Sequence, residues 1–252
     1  MIQKLGVQLY TIRDFMNTPE EIRNSFKKLK SLGYDQAQTA GCKIPYDEFG
    51  KIAQEEGIEI VGTHDDFQMM CNDFEQSLRN HQLLHTKNMG IGGFGVETVE
   101  KNIDFIEKAN KVGEQAAKHG MKFTFHNHHR EFIRFKENGK TTMDMLAEGL
   151  NPDTTSFVLD THWVQRGGGD VRHWIEKLSG RIDILHLKDF AITPDGPIYT
   201  EIGNGNLYWE GIFEQAEKSG VSYYVVEQDT CPGDPFDSLK ISSDYIHKNF
   251  MG

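Results

Sequence analysis

Four apolar runs in this chain lead into side chains able to bind a metal ion or move a proton. Phe157-Val158-Leu159 ends in Asp160, Ile182-Asp183-Ile184-Leu185 in His186, and Tyr223-Tyr224-Val225-Val226 in Glu227. Lys122-Phe123-Thr124-Phe125 leads into His126-Asn127-His128-His129-Arg130-Glu131. Charge at the tip of an apolar strand is costly unless a partner or a function compensates for it. Two carboxylates and an imidazole suit one divalent cation, Mn, Mg, Co or Zn, with Mn or Mg favoured as oxygen donors increase. The bland alternative has Asp160 capping the next turn, His186 bonding a neighbouring backbone group and Glu227 pairing with Lys188.

Strand alternation orders the remaining candidates. His126 and Thr124 share a face, which His128 continues into the loop, so His126 and His128 are the inward pair and His129 reads as facing solvent. Glu131 could fold back from that loop as a fourth ligand. Lys188, two residues beyond His186, either binds a substrate oxygen or neutralises Asp189 or Glu227. Trp163 reads equally as a sugar-stacking ring or as packing. His64, in Gly62-Thr63-His64-Asp65-Asp66, is a candidate for substrate hydroxyls, and Tyr10 and Arg13 for closing the pocket. Gly167-Gly168-Gly169 is either a phosphate nest or a mobile loop. Ile202-Gly203-Asn204-Gly205-Asn206 is not a dinucleotide fingerprint, because no G-x-G-x-x-G follows a first strand. His81, His85, His119, His173 and His247 fall on or beside helices and read as surface residues.

These tips need elements to hold them. Candidate strands run Leu5 to Tyr10, Tyr34 to Thr39, Ile58 to Thr63, Asn88 to Gly92, Met121 to His126, Thr155 to Asp160, Ile182 to Leu187 and Ser222 to Glu227. Helical patterns separate them. Thr18-Pro19-Glu20-Glu21 carries a cap, a first-turn proline and first-turn acids. Val96 to His119 reads as a long helix stopped by Gly120, Val171 to Leu178 as one stopped by Gly180, and Trp209 to Ser219 as one stopped by Gly220. Strands separated by helices pair in parallel, and eight repeats in 252 residues favour closure into a (β/α)8 barrel, one domain over residues 1–252. In such barrels the C-terminal strand ends build the site, and the polar tips all lie there.

The 27 basic and 38 acidic side chains give a formal charge of -11, with no basic block, so no nucleic-acid partner is expected. Cys42, Cys71 and Cys231 form no C-x-x-C pattern, which suits a reduced, cytoplasmic setting. The opening residues show no export signal, and no apolar stretch approaches the ~20 residues of a membrane helix. A small-molecule partner is expected, and a homo-oligomer is compatible with the sequence.

The sequence resembles the xylose-isomerase-like barrel superfamily, in the branch of sugar phosphate isomerases and epimerases. The resemblance spans the chain. It rests on Val7-Gln8-Leu9-Tyr10-Thr11-Ile12-Arg13-Asp14, Phe125-His126-Asn127-His128, Leu159-Asp160-Thr161, Leu185-His186-Leu187-Lys188-Asp189, the Ile202 to Asn206 run and Val226-Glu227-Gln228-Asp229. It implies one divalent metal held by Glu, Asp, His and Glu from the fifth to eighth strands. The last three become Asp160, His186 and Glu227. The first departs from the pattern: His126 stands at the fifth tip, so His126 or Glu131 fills that place, with Glu131 favoured. The resemblance implies Glu227 as ligand and acid/base, with His128 or His126 as the second proton carrier. The leading expectation is a metal-dependent isomerase or epimerase of a small sugar or ketose, phosphorylated or not. The alternative is a lyase or dehydratase on a keto-sugar, keto-inositol or 3-keto-glycoside. An abasic-site endonuclease and a non-catalytic binding protein are weaker readings.

Overall fold

The computed structural model describes residues 2–95 and 97–251. Along the chain lie β1 (Gly6–Gln8), α1 (Pro19–Ser31), β2 (Gln36–Gln38), α2 (Tyr46–Glu55), β3 (Glu59–Gly62), α3 (Phe67–Asn72), α4 (Phe74–Leu83) and β4 (Asn88–Ile91). Then follow α5 (Val99–Ala117), β5 (Lys122–His126), α6 (Thr142–Gly149), β6 (Thr155–Asp160), α7 (Thr161–Arg166), α8 (Val171–Lys177) and β7 (Ile182–Leu187). The chain ends with β8 (Asp189–Thr193), β9 (Gly196–Thr200), α9 (Trp209–Lys218), β10 (Tyr223–Val226) and α10 (Pro235–Phe250). Val96, the anticipated start of the long helix, lies outside the described residues.

Eight parallel strands pair in the order β3-β2-β1-β10-β7-β6-β5-β4 and form a nearly closed barrel. The two ends meet through Thr63 N donating to Asn88 O at 3.3 Å and Asp65 N donating to Gly90 O at 2.8 Å. This approach requires glycine at position 90, where a Cβ would lie 2.2 Å from Thr63 O. All eight anticipated strands are present, most of them trimmed at an end.

Alternation then decides what faces where. Val61, Val158, Ile184 and Val225 form a separate buried cluster inside the barrel. Asp160 and His186 stand two residues beyond Val158 and Ile184, and Glu227 two beyond Val225, so each polar side chain caps a column of this apolar layer. On β5 the outward residues Phe123 and Phe125 pack on Phe105 of α5, with ring centroids 6.3 and 5.5 Å away. Phe67 and Phe94 extend this aromatic cluster at 4.9 and 4.8 Å from Phe105. Their burial fixes the strand that carries His126. The start of α1 is a full capping box, with Glu21 N donating to Thr18 Oγ1 and Thr18 N donating to Glu21 Oε2.

One element differs from the sequence expectation. Between β7 and α9 the chain makes an antiparallel hairpin, β8 with β9, pairing Phe190 with Tyr199. Thr193-Pro194-Asp195-Gly196 turns it, with Gly196 at φ 117°. Asp189 anchors its base, accepting from Gly203 N at 2.9 Å, Gly205 N at 3.2 Å and Trp209 Nε1 at 2.7 Å. Asn206 Oδ1 accepts from Ile192 N at 3.1 Å. The Ile202 to Asn206 run is thus an anchor for the hairpin.

Candidate metal centre and its cavity

His126, Asp160, His186 and Glu227 each aim one ligand atom at a common point, and these atoms lie within 4.8 Å of one another, all buried. His126 Nδ1 donates to Gly92 O at 3.2 Å, which leaves Nε2 facing Asp160 Oδ2 at 3.4 Å. His186 Nε2 donates to Gln38 Oε1, which leaves Nδ1 facing Glu227 Oε2 at 3.1 Å and Asp160 Oδ2 at 3.7 Å. Gln8 Nε2 donates to the same Gln38 oxygen at 3.1 Å. Asp160 divides its two oxygens: Oδ1 accepts from Trp163 N at 2.9 Å and caps α7, while Oδ2 faces the cluster. The capping role and the site role therefore coexist in one carboxylate.

The charges fit a dication. Lys188 is buried, with its ammonium 3.6 Å from Asp160 Oδ2, 3.2 Å from Glu227 Oε2 and against Asp229 Oδ2. Burial would lower its pKa, but Glu227, Asp160 and Asp229 raise it well above the usual lysine range. Burial would raise the Asp160 carboxyl, yet Lys188, then the facing rings of His126 and His186, hold it well below its ordinary range. Glu227 is held low in the same way, against its burial, chiefly by Lys188 and His186. Three carboxylates and one ammonium leave a formal charge of -3 + 1 = -2 in a buried site. A divalent cation would balance it, with Nε2 of His126 and Nδ1 of His186 pointing inward to complete the donor set. Without one, burial would lower the pKa of His186, but Glu227 and Asp160 raise it.

Above the cluster is a cavity of about 270 Å³, bordered by Tyr10, His64, His128, Trp163, Lys188 and Asp229. His128 stands 4.9 Å from the His126 ring and 5.3 Å from Trp163. Glycine at 93 is needed here, since a Cβ at its φ of 130° would lie 2.9 Å from the His128 ring. Burial, then neighbouring His126, pushes His128 down to about 3, so it is neutral at pH 7. His64 is likewise held well below its ordinary range by burial and by His126 and His186. Its Nδ1 faces the Gln8 amide at 3.3 Å, and its buried Nε2 has no partner among the described residues. Trp163 Nε1 is also buried and unpartnered. A larger groove of about 390 Å³ runs along Gly168 to Arg172 and Asn206 to Tyr208, and none of the clustered ligands lines it.

Several sequence expectations are corrected by this geometry. Glu131 is not brought to the cluster. The loop turns away as a 3-10 turn, His129–Phe132, and Glu131 Oε2 bends back to accept from His128 N at 3.0 Å. His129 does not simply face solvent, because its ring packs 5.2 Å from Trp163. Trp163 is enclosed by His128, His129, His162 and the Lys188 ammonium, 4.7 Å from its centroid, so it packs the wall instead of offering a free stacking face. Arg13 holds the backbone, donating to Tyr10 O at 2.9 Å and Asp229 O at 3.0 Å. His81 is fully buried, with Nδ1 2.7 Å from Ser77 O and Nε2 2.8 Å from Thr63 Oγ1. Gly167 to Gly169 form the tight connection between α7 and α8, packed on Phe132 and Trp174.

Gln8, Gln38, Asp229 and Tyr199 were missed as site residues. The period-2 pattern Gln36-Ala37-Gln38 was the available signal for Gln38. Tyr199 arrives on the unanticipated hairpin, its ring stacked 4.6 Å from His162.

Comparison with known proteins accords with this architecture. The profile of the family described as xylose isomerase-like TIM barrel matches residues 26–246. The chain belongs to this family. An inosose dehydratase of Salmonella typhimurium is 26% identical over 90% of this chain and 91% of its own length. An inosose dehydratase of Geobacillus thermodenitrificans is 27% identical over 57% of this chain, and the match spans 53% of that relative's length. A solved structure described as a sugar phosphate isomerase/epimerase from Parabacteroides distasonis superposes with a TM-score of 0.85 at 21% identity, covering 100% of this chain and 96% of the other. The IOLI protein, solved with a bound zinc atom, superposes at 0.74 with 15% identity, covering 99% and 100%. Among the described residues no helix is long and apolar enough to cross a membrane.

Proposed function

We propose that this protein is a divalent-metal-dependent lyase that dehydrates a small polyhydroxylated ketone of the keto-inositol or keto-sugar class. It is read as one barrel domain, residues 1–252, working in the cytosol on a small molecule. One observation carries the choice of a lyase over an isomerase or epimerase. The fifth-strand ligand is His126, so a pair of opposed glutamates for transfer between two faces of a carbon is lacking. Glu227 is confined between His186 and Lys188, and the neutral imidazole of His128 stands free on the cavity. The inosose dehydratase names among the relatives support the same reading.

A cation held by His126, Asp160, His186 and Glu227 would polarise the substrate carbonyl and its neighbouring hydroxyl. His128 removes the proton on the carbon next to the carbonyl. The electron pair of that C–H bond forms the carbon–carbon double bond, and the β-hydroxyl departs. His128 returns the proton to that hydroxyl, which leaves as water. Burial and His126 push His128 down, so its ring is unprotonated at rest and has a lone pair to accept the proton. Lys188 remains charged and holds Asp160 and Glu227 ionised as ligands. His64 and Trp163 border the cavity, and each has a buried ring N–H with no partner among the described residues.

The test is incubation of metal-loaded protein with a keto-inositol in deuterated water, followed by NMR and ultraviolet absorbance. Loss of water with formation of an unsaturated ketone or its dione tautomer is expected. Deuterium uptake without loss of water overturns the lyase reading in favour of an isomerase or epimerase.

A further inference from the structure

We infer that Asp229 sets the charge of this cavity so that it takes an uncharged polyhydroxylated ring and turns away the phosphate ester of the same ring. The inference rests on the proposed function and deepens it by assigning the substrate's charge. Asp229 lies two residues beyond Glu227, borders the cavity and keeps part of its side chain exposed, with its carboxylate against the Lys188 ammonium. Lys188 is the only cationic side chain bordering the cavity among the described residues. It is not available to an incoming anion. Asp160, Glu227 and Asp229 surround its charge, and the rings of Trp163 and Tyr199 lie 4.7 and 5.2 Å from it.

The nearby guanidiniums do not replace it. Arg13 is fixed to the carbonyl of Asp229 and so positions that residue. Arg166 lies 5.3 Å from the Trp163 ring and does not border the cavity. With a dication present the formal charge is -3 + 1 + 2 = 0. A neutral polyol keeps that balance. A phosphate monoester adds ~1.5 to 2 negative charges beside Asp229 in a partly buried site, where repulsion is poorly screened.

The experiment is calorimetric titration of metal-loaded protein with inositol and with inositol monophosphate. These share a ring, differ in charge and carry no ketone to react. Wild type is expected to bind inositol at least about tenfold more tightly than the monophosphate. Asp229→Asn should cut that ratio by about tenfold, with metal content and melting temperature retained, while Asp229→Glu keeps it. Tighter binding of the monophosphate by wild type, or a ratio unchanged in Asp229→Asn, overturns the inference. Absence of binding by both overturns it too. Dehydration of a keto-inositol in any of these three cases leaves the proposed function standing.

Discussion

The two halves of the barrel mouth are built from the same strand alternation but carry different chemistry. The tips of β1 to β4 present uncharged groups: Gln8, Gln38, His64 and the Gly92-Gly93 pair. The tips of β5, β6, β7 and β10 present His126, Asp160, His186 with Lys188, and Glu227 with Asp229. The charged half can hold a cation, whereas the uncharged half orients it. Gln38 Oε1 engages His186 through Nε2 and Gly92 O engages His126 through Nδ1, so the inward nitrogens are the ones turned toward a bound cation. Separating charge from orientation this way keeps the substrate side of the cavity free of a second buried charge that would itself need a partner.

Removing a charge from the charged half should have the largest effect. Asp160→Ala or Glu227→Ala is expected to abolish metal retention and lower dehydration on the order of a thousandfold, read by elemental analysis and single-turnover kinetics. Equal metal in wild type and variants would break the distinction between the halves. Next comes the support behind β5. Phe105 is fully buried under Phe123 and Phe125, and Phe105→Ala should cost about 3–5 kcal/mol in urea unfolding. A loss below about 1 kcal/mol would mean that the aromatic cluster does not hold the strand carrying His126.

In the uncharged half the effect is smaller and of another kind. Gln38→Ala should weaken metal affinity about 10- to 100-fold without abolishing it, measured by competition with a chelator. The smallest effect concerns a charge outside the mouth. Burial would raise Asp144, but hydrogen bonds from Lys177 and Thr141 bring it to about 2. Its contribution is therefore present above the ordinary aspartate value near 3.8 and lost as pH falls through about 2. Asp144→Asn should cost about 1 kcal/mol at pH 7, given its partial exposure, and the gap to wild type should close near pH 2.

Much of this was legible in the chain. Eight apolar runs with polar tips and intervening amphipathic stretches led to the barrel, because side-chain period encodes both strand and facing direction. The same parity placed Val158, Ile184 and Val225 in one interior layer beneath Asp160, His186 and Glu227. What was not legible depended on loops and on partners distant in sequence. Glu131 and His126 are five residues apart, and either suited the cluster until the 3-10 turn directed Glu131 to its own backbone. Gln38 meets His186 across 148 residues, a pairing that no local pattern contains. The hairpin carrying Tyr199 consists of two short strands whose turn residues read as loop. His81 sits at helical spacing but points inward to Thr63 and Ser77, where hydrogen bonds make burial of the ring affordable.

On the proposed reading His126 is the fourth ligand, and Glu131 belongs to the loop. The direct test is metal stoichiometry and affinity for His126→Ala and Glu131→Gln, side by side with wild type, in protein prepared without chelator. Glu131→Gln should retain about one equivalent of metal at wild-type affinity, and His126→Ala should lose it. Retention by His126→Ala together with loss in Glu131→Gln would instead make Glu131 the fourth ligand.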